Sequence, residues 1–355
     1  MTSNLRDSTS PLVRYLRENF PDAGAASTRW RADIGDVETA LPPGIVDRGY
    51  PYGTVGTALN WYLELALGDV RLDVAEEGFK LWREAAFNQH PLQRIDEGLY
   101  LDQRTGLPVS KRPTGYDLFE FLRADLAQFM EEWGSGRPQL DPGRLDFLCR
   151  RCWALALLEQ VFRAGPVAVR GPLGTLAVSS GLRDLLELAP EVGVADCSQL
   201  AQMAQVPLLD AFAGTSTSER HLDPLFAGGG DVGGADADFI VDGCLIDSKA
   251  TLRPTPGPAK LRDSWLWQLM GYAALDYDDT YGIERTAIYL ARQGRLVVWQ
   301  LSELLGLLSD GRCTSISQVR SDLKSVLGVA RRRGALGNSG APAGTPIGSR
   351  PKLSE

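Results

Sequence analysis

The chain has 355 residues, of which 44% are hydrophobic and 23% are charged, and this composition excludes a disordered or fibrous protein. Its net charge of −8 excludes a surface that is basic throughout, and its two histidines exclude multi-histidine zinc sites. Five cysteines without regular spacing are not typical of a disulfide framework. We find no apolar run long enough to span a membrane and no signal peptide, so we expect a cytoplasmic protein without a membrane partner.

The first 140 residues show the apolar periodicity of helices. The pattern predicts helices from Thr57 to Leu67, Val74 to Phe87 and Tyr116 to Trp133, which are separated by joints containing proline and glycine. No motif with an evident chemical role occurs in this region. We therefore interpret residues 1–140 as a mostly helical accessory region, through which a protein partner or a second copy of the chain would bind.

The pattern changes from helix to strand in the second half of the chain. A helix is predicted from Arg144 to Gly165, and a glycine-rich segment lies between Leu225 and Gly234. Two strand-like runs follow, Asp238 to Val241 and Cys244 to Ala250. Asp242-Gly243 joins them, and this dipeptide favours a two-residue hairpin turn because both positions accept positive φ.

Further helices and strands follow this hairpin. A helix is predicted from Ser264 to Tyr277, then strands from Thr286 to Ala291 and from Leu296 to Gln300, and a last helix from Ser302. This order predicts an α/β sandwich whose sheet presents side chains to a cleft.

The domain boundaries follow from these shifts in pattern. We place a helical region at residues 1–140 and an α/β domain at residues 141–334. Residues 335–355 are rich in Gly, Pro and Ser and poor in apolar side chains, and we predict that this tail is disordered.

The second strand of the hairpin brings chemically active side chains together. Alternate residues of a strand share a face, so Asp247 and Lys249 lie side by side. Asp238 begins the partner strand and approaches Asp247 across the turn. Two converging carboxylates suit Mg²⁺ or Mn²⁺, and the lysine can stabilise negative charge that develops on phosphorus.

These residues resemble the motif of the PD-(D/E)XK nuclease superfamily. Asp238 matches its first acid, Asp247 its second and Lys249 its lysine, whereas Ala237 stands where proline is usual. The resemblance implies a restriction-endonuclease-like αβββαβ core, a mixed sheet flanked by helices. It also implies a Mg²⁺ cofactor, with Mn²⁺ as an alternative, a DNA substrate, and the main-chain carbonyl of Ser248 as a further metal ligand.

The next predicted helix extends the resemblance. Gln268 and Tyr272 lie one turn apart on one face, and a Q-x-x-x-Y pattern after the acidic-x-Lys strand is similar to the RecB-like branch of the superfamily. The resemblance implies that this pair contacts nucleic acid or orients the lysine.

Members of this branch also supply an acid or histidine from a helix upstream of the hairpin. Glu159 is the best candidate, because it is the only acid between Asp146 and Asp184 and an isolated carboxylate in an apolar helix needs a partner such as a metal. A solvent-facing position for Glu159 remains open at this point, and Glu219 and His221 are rival candidates.

A short basic segment follows the motif. Arg253, Lys260 and Arg262 occur without an acid between Thr251 and Arg262, and they are candidates for phosphate binding. The alternative is that they are solvated loop charges.

Two further patterns are set aside. Gly228 to Gly233 fits the letters of a dinucleotide-binding motif but precedes a strand instead of opening a helix. Cys149 and Cys152 resemble half of a metal knuckle, yet an iron–sulfur cluster needs four cysteines in a pattern that is absent, so we interpret them as structural thiols.

The sequence thus predicts a metal-dependent nuclease that hydrolyses DNA, for example in repair, restriction or phage defence. One alternative is a catalytically silent protein of the same fold that binds DNA or protein partners as an accessory subunit. Another places the function in the helical amino-terminal region, with the nuclease-like part as a scaffold.

Overall fold

The computed structural model describes most of the chain. No helix within this described part is long and apolar enough to cross a membrane. Arg253, Lys260 and Arg262, the predicted phosphate-binding residues, lie outside it. The described residues are 5, 7–22, 24–34, 37–43, 50–68, 71–89, 92–110, 118–134, 137–165, 168, 170–252 and 263–337.

The amino-terminal third contains helices and a small sheet. The three helices predicted there are confirmed, and each begins or ends within a few residues of the predicted bounds. Two earlier helices and a three-stranded antiparallel sheet were not predicted. The elements are α1 (Pro11–Asn19), α2 (Gly24–Ile34), α3 (Tyr52–Leu67), α4 (Asp73–Gln89), β1 (Leu92–Asp96), β2 (Leu99–Asp102), β3 (Pro108–Ser110) and α5 (Leu118–Trp133).

A long helix, α6 (Pro142–Ala164), confirms the next prediction. The Asp141 carboxylate caps its amino terminus by accepting a hydrogen bond from the Arg144 N–H (3.1 Å), and Pro142 occupies the first turn. Gly165 follows the last helical residue, and its φ of +64° is a conformation that glycine adopts without steric cost. Two shorter helices follow, α7 (Leu182–Glu187) and α8 (Glu191–Ala204).

Among the described residues, the main sheet has five strands in the spatial order β4-β5-β6-β7-β8. Its first three strands are antiparallel, β6 and β7 are parallel, and β8 returns antiparallel to β7. The protein is therefore an α/β protein with a mixed sheet. The strands are β4 (Arg220–Leu222), β5 (Phe239–Val241), β6 (Cys244–Lys249), β7 (Arg285–Leu290) and β8 (Arg295–Gln300).

The predicted hairpin is confirmed. Val241 pairs with Cys244, which leaves Asp242 and Gly243 as the two turn residues, with φ of +49° and +64°. Both positive values suit a turn that matches the twist of the strands. This turn fixes the register that sets Asp238 beside the end of β6.

The described carboxyl-terminal part also contains the helices α9 (Asp263–Leu275), α10 (Leu301–Leu308) and α11 (Ile316–Gly337). Helix α9 connects β6 to β7, and such a crossover allows these two strands to run parallel. Helix α11 was not predicted separately. It continues through residues 335–337, so the first three residues of the predicted disordered tail are helical, and residues 338–355 lie outside the described part.

Two apolar cores cover the two faces of the main sheet. Ile246 and Tyr289 belong to the core formed with α3, α4, α5, α6 and α8, whereas Leu245 and Ile288 belong to the core formed with α1, α2, α9, α10 and α11. The split follows from the alternation of side chains along each strand. Each core contains residues from both sides of the predicted domain boundary at residue 140.

Candidate active site

Asp247 and Lys249 lie side by side at the end of β6, as their spacing predicts. The Lys249 Nζ atom lies 2.5 Å from Oδ2 of Asp247. The Asp247 side chain is only 3% exposed and that of Lys249 19%. Burial raises the pKa of Asp247, and Lys249 opposes that rise both by its charge and by hydrogen bonding.

Helix α9 holds the lysine from the other side. Lys249 Nζ donates a hydrogen bond to Oε1 of Gln268 (3.0 Å), and Nε2 of Gln268 donates to the Tyr272 hydroxyl (3.0 Å). Gln268 and Tyr272 share a helix face because they are four residues apart. The Tyr272 ring stacks on Phe226 at 5.5 Å, so the far end of this chain of contacts is fixed by packing.

Asp238 lies immediately before β5 and faces the end of β6. Its Oδ2 atom accepts a hydrogen bond from the main-chain N–H of Ser248 (2.7 Å). Burial, followed by the charge of Asp247, raises the pKa of Asp238 to about 7, although Lys249 and the Ser248 N–H act in the opposite direction. The two predicted acids thus interact electrostatically, and the positive charge of Lys249 opposes the rise in the pKa of both.

A further acid, Glu64 on α3, belongs to this site and was missed by the sequence analysis. Its residue is only 6% exposed, and its Oε2 atom has no hydrogen-bond partner among the described residues. Its pKa is raised well above the usual range by burial first, and then by the charges of Asp223, Glu159 and Asp238. A buried carboxylate oxygen without a protein partner is costly, so Glu64 is a candidate site residue.

The sequence does contain a signal that would have found Glu64. It is the only charged residue of α3, between Leu63 and Leu65 in a run of buried apolar side chains. Glu64, like Glu159, is an isolated carboxylate in an apolar helix, and such a carboxylate needs a partner.

Glu159 lies on the same pocket as Glu64, but its carboxylate is already paired. Its Oε1 atom accepts a hydrogen bond from Nε of Arg163 at 2.5 Å, and Arg163 also binds Asp236 (2.9 Å). The rival candidates lie elsewhere. Glu219 is exposed in a short turn, and the His221 ring packs against Tyr281 at 5.0 Å.

The pocket in front of Asp238 is small and strongly acidic. It has a volume of about 50 Å³, and Arg163 is the one cation among its described lining residues. Burial first, and then Glu159 and Asp236, raise the pKa of Asp223 to about 6. The carboxylates that line the pocket are Glu64, Glu159, Asp223, Asp236 and Asp238.

The donor set of this pocket fits a hard divalent cation. Carboxylate oxygens are the ligands that Mg²⁺ and Mn²⁺ prefer, and Glu64 supplies a buried oxygen without a partner among the described residues. Across the described ranges, no group of three or more His, Cys, Asp or Glu side chains is placed so that it could hold a metal ion. Instead, Asp238 is turned to the Ser248 N–H and Asp247 to Lys249.

Neither the glycine-rich segment nor the pair of Cys149 and Cys152 is among the described residues that line the acidic pocket. Residues 229–232 form a short 3₁₀ turn ahead of β5, and no helix opens after them. Cys149 and Cys152 are free thiols buried on α6.

No protein-family model, curated protein or solved structure matches this chain.

Proposed function

We propose that this protein is a metal-dependent nuclease that hydrolyses phosphodiester bonds of DNA. The observation that supports this most is the arrangement of Asp238, just before β5, beside Asp247 and Lys249 on the adjacent antiparallel strand β6, with Gln268 holding the lysine from the following helix. A carboxylate pair beside a lysine provides both cation ligands and a positive charge for a phosphate in reaction.

The order of the elements agrees with the fold that the resemblance implies. A helix, three antiparallel strands, a crossover helix and a parallel strand follow one another as α8, β4, β5, β6, α9 and β7. This order supports the αβββαβ arrangement of a restriction-endonuclease-like core. The proposal therefore includes membership of that fold, with the QxxxY helix of its RecB-like branch.

Asp238, Asp247 and Glu64 would hold Mg²⁺, and Mn²⁺ would serve in its place. The main-chain carbonyl of Ser248 is a further candidate ligand. Glu159 is not included, because its carboxylate already accepts a hydrogen bond from Arg163. When bound, the cation would neutralise these acids and lower the pKa of a coordinated water.

Lys249 has the central role among the protein's own groups. Its ammonium group lies between Asp247 and Gln268, so it can stabilise the charge that grows on the phosphate oxygens and can orient the attacking water. Gln268 and Tyr272 keep its position fixed while the substrate binds. Fixed charges need no reorganisation as the reaction proceeds, and this is the source of their catalytic effect.

A cleavage assay with a binding measurement tests the proposal. Wild-type protein should degrade DNA with Mg²⁺ or Mn²⁺ and should not do so in EDTA. Asp247→Asn should lose cleavage and also the rise in melting temperature that Mg²⁺ produces in the wild type. DNA binding without any cleavage would instead support an accessory subunit of the same fold.

A further inference from the structure

Arg163 joins two of the carboxylates that line the acidic pocket. Its Nε atom donates a hydrogen bond to Oε1 of Glu159 at 2.5 Å, and its Nη2 atom donates to Oδ2 of Asp236 at 2.9 Å. Glu159 lies one turn earlier on α6, whereas Asp236 belongs to the segment that leads into β5. Arg163 therefore connects α6 with the segment that carries Asp238, two residues after Asp236.

The charges of the pocket are unevenly balanced. Five carboxylates line it, and Arg163 is the one cation among its described lining residues. Carboxylates around a volume of about 50 Å³ repel one another, and a positive charge bound to two of them offsets part of that repulsion. The guanidinium thus supplies part of the positive charge that a divalent cation would bring to the same pocket.

The position of Arg163 allows its guanidinium to leave the two acids. Arg163 is the last residue but one of α6, and its side chain is 50% exposed, whereas that of Glu159 is only 13% exposed. A long arginine side chain can place its charged end in water by rotation about its own bonds, while the shorter carboxylates stay on the pocket.

A divalent cation and the guanidinium compete for the same carboxylates. Their positive charges repel each other, and both need the oxygen atoms of the acids as partners. The Oε2 atom of Glu64, which has no hydrogen-bond partner among the described residues, is an oxygen of the same pocket that Arg163 does not bind. The affinity of the pocket for a cation therefore depends on how firmly Arg163 is held by Glu159 and Asp236.

We infer that Arg163 is the internal counter-ion of the acidic pocket, which pairs with Glu159 and Asp236 until a divalent cation replaces it and so sets the affinity of the site for that cation. The inference rests on the proposed function, which identifies the cation as Mg²⁺ or Mn²⁺. Arg163 regulates metal binding in this account and is not a catalytic residue. The protein would bind the cation only above a concentration that Arg163 determines.

A titration with Mn²⁺ alone tests the inference without DNA. The full-length protein is treated with EDTA and dialysed, and isothermal titration calorimetry then measures its affinity for Mn²⁺. Arg163→Met and Arg163→Gln remove the charge, and we expect each to bind Mn²⁺ about ten-fold more tightly than the wild type. Arg163→Lys keeps the charge and should differ from the wild type by less than about three-fold.

Arg183→Met is the matched control. Arg183 also pairs through Nε with a glutamate four residues away, Glu187 at 2.8 Å, but it is not among the described residues that line the acidic pocket. This variant should bind Mn²⁺ like the wild type.

Thermal unfolding separates a counter-ion from an arginine that only stabilises the fold. In EDTA, Arg163→Met should melt at a lower temperature than the wild type, because the repulsion among the carboxylates is no longer offset. Saturating Mn²⁺ should then raise its melting temperature by more than it raises that of the wild type. Circular dichroism identifies the variants that fold, and Mn²⁺ binding that is unchanged or weaker in a folded neutral variant would overturn the inference.

The outcomes also separate this inference from the proposed function. A wild type that cuts DNA with Mn²⁺, together with equal Mn²⁺ affinity in Arg163→Met, would overturn the inference and leave the nuclease assignment standing. Tighter Mn²⁺ binding by the neutral variants of a protein that cuts no DNA would support the inference and contradict the nuclease assignment.

Discussion

The Nζ atom of Lys249 lies 2.5 Å from Oδ2 of Asp247, its neighbour but one on β6. The same nitrogen donates to Gln268 on α9, so the lysine is held between a strand and the helix that follows it. This relationship joins the two halves of the sequence motif, the acidic-x-Lys strand and the QxxxY helix, in one group of contacts.

Removal of the lysine should abolish the activity and preserve the fold. We expect Lys249→Ala to reduce DNA cleavage at least about 100-fold, because under the proposed function it removes the positive charge that would stabilise the phosphate. The Lys80→Ala variant is the control, since that lysine is 52% exposed on α4 and pairs only with neighbouring acids. Initial rates with Mg²⁺ measure the effect, and a Lys249→Ala protein with wild-type rates would contradict the assignment.

Glu64→Gln should stabilise the metal-free protein and weaken its response to metal. Because the folded pKa of Glu64 lies well above the ordinary value of 4.5, the carboxyl group opposes folding increasingly as the pH rises above that value. Glutamine removes this penalty, and we expect a gain of at least about 1 kcal/mol at pH 8 in EDTA.

Urea unfolding with and without Mg²⁺ measures both effects of Glu64→Gln. The exposed Glu18→Gln variant should change neither value. A loss of stability in EDTA, or a metal response equal to that of the wild type, would show that Glu64 has another role.

The metal-free protein should lose stability as the pH rises from about 4 to about 7. Asp238 and Asp223 have folded pKa values of about 7 and about 6, raised mainly by burial from an ordinary 3.8. Between about pH 4 and about pH 7, these two carboxyl groups hold more protons in the folded state than in the unfolded state. Each increase of one pH unit in this range therefore lowers the free energy of unfolding.

Urea midpoints at a series of pH values in EDTA measure this slope. Asp238→Asn should reduce it, and Mg²⁺ should offset the loss near pH 7 because cation binding favours the ionised carboxylates. A midpoint that rises steadily through this range in EDTA would contradict the raised pKa values.

Much of the fold around the site could be predicted from local sequence. The hairpin was predictable because Asp242 and Gly243 both accept positive φ between two apolar runs, and the register then follows from the two-residue turn. Helix α9 and strands β7 and β8 also had clear periods.

Other features depend on distant contacts that no local pattern reports. Strands β1, β2 and β3 are short and largely exposed, so they lack a buried face with a strong period. Glu64 precedes Asp238 by about 170 residues in the sequence. The two residues line one pocket only because α3 packs against the main sheet. The ion pair between Glu159 and Arg163 likewise could not be predicted from the local sequence.

Tyr272→Phe should separate positioning from catalysis. The substitution removes the hydroxyl that accepts a hydrogen bond from Gln268 and keeps the ring that stacks on Phe226. We expect the cleavage rate to fall by roughly three- to ten-fold. This fall corresponds to about 1 kcal/mol, the typical contribution of one hydrogen bond, here the bond that holds Gln268 against Lys249.

Gln268→Ala should reduce cleavage more than Tyr272→Phe does, because it removes the direct hydrogen bond with Lys249. Steady-state kinetics should place both effects in kcat, since the lysine and not substrate binding is disturbed. A Tyr272→Phe protein as impaired as Lys249→Ala would instead indicate that the hydroxyl itself takes part in the reaction.

The buried pair of Asp196 and Arg292 should support the site through stability alone. Both side chains are completely buried, and Nη2 of Arg292 lies 2.7 Å from Oδ2 of Asp196. Arg292 also donates to the main-chain oxygen of Ala250 at the end of β6 (3.0 Å). Asp196→Ala leaves a buried guanidinium without its charge partner, and we expect a loss of about 3–5 kcal/mol.

Urea unfolding checks the Asp196→Ala prediction, with the exposed pair of Arg183 and Glu187 as the comparison. Glu187→Ala should cost less than about 1 kcal/mol, because both side chains of that pair are more than half exposed. Similar losses in the two variants would show that the buried pair does not stabilise the end of β6.

The most direct test of the central claim is a DNA cleavage assay that compares the wild type with Lys249→Ala and Asp247→Asn. Linear single-stranded, linear double-stranded and circular DNA are each incubated with Mg²⁺, Mn²⁺ or EDTA. We predict metal-dependent cleavage by the wild type and none by either variant. Cleavage in EDTA, or cleavage by both variants at the wild-type rate, would contradict the assignment of the nuclease site to Asp238, Asp247 and Lys249.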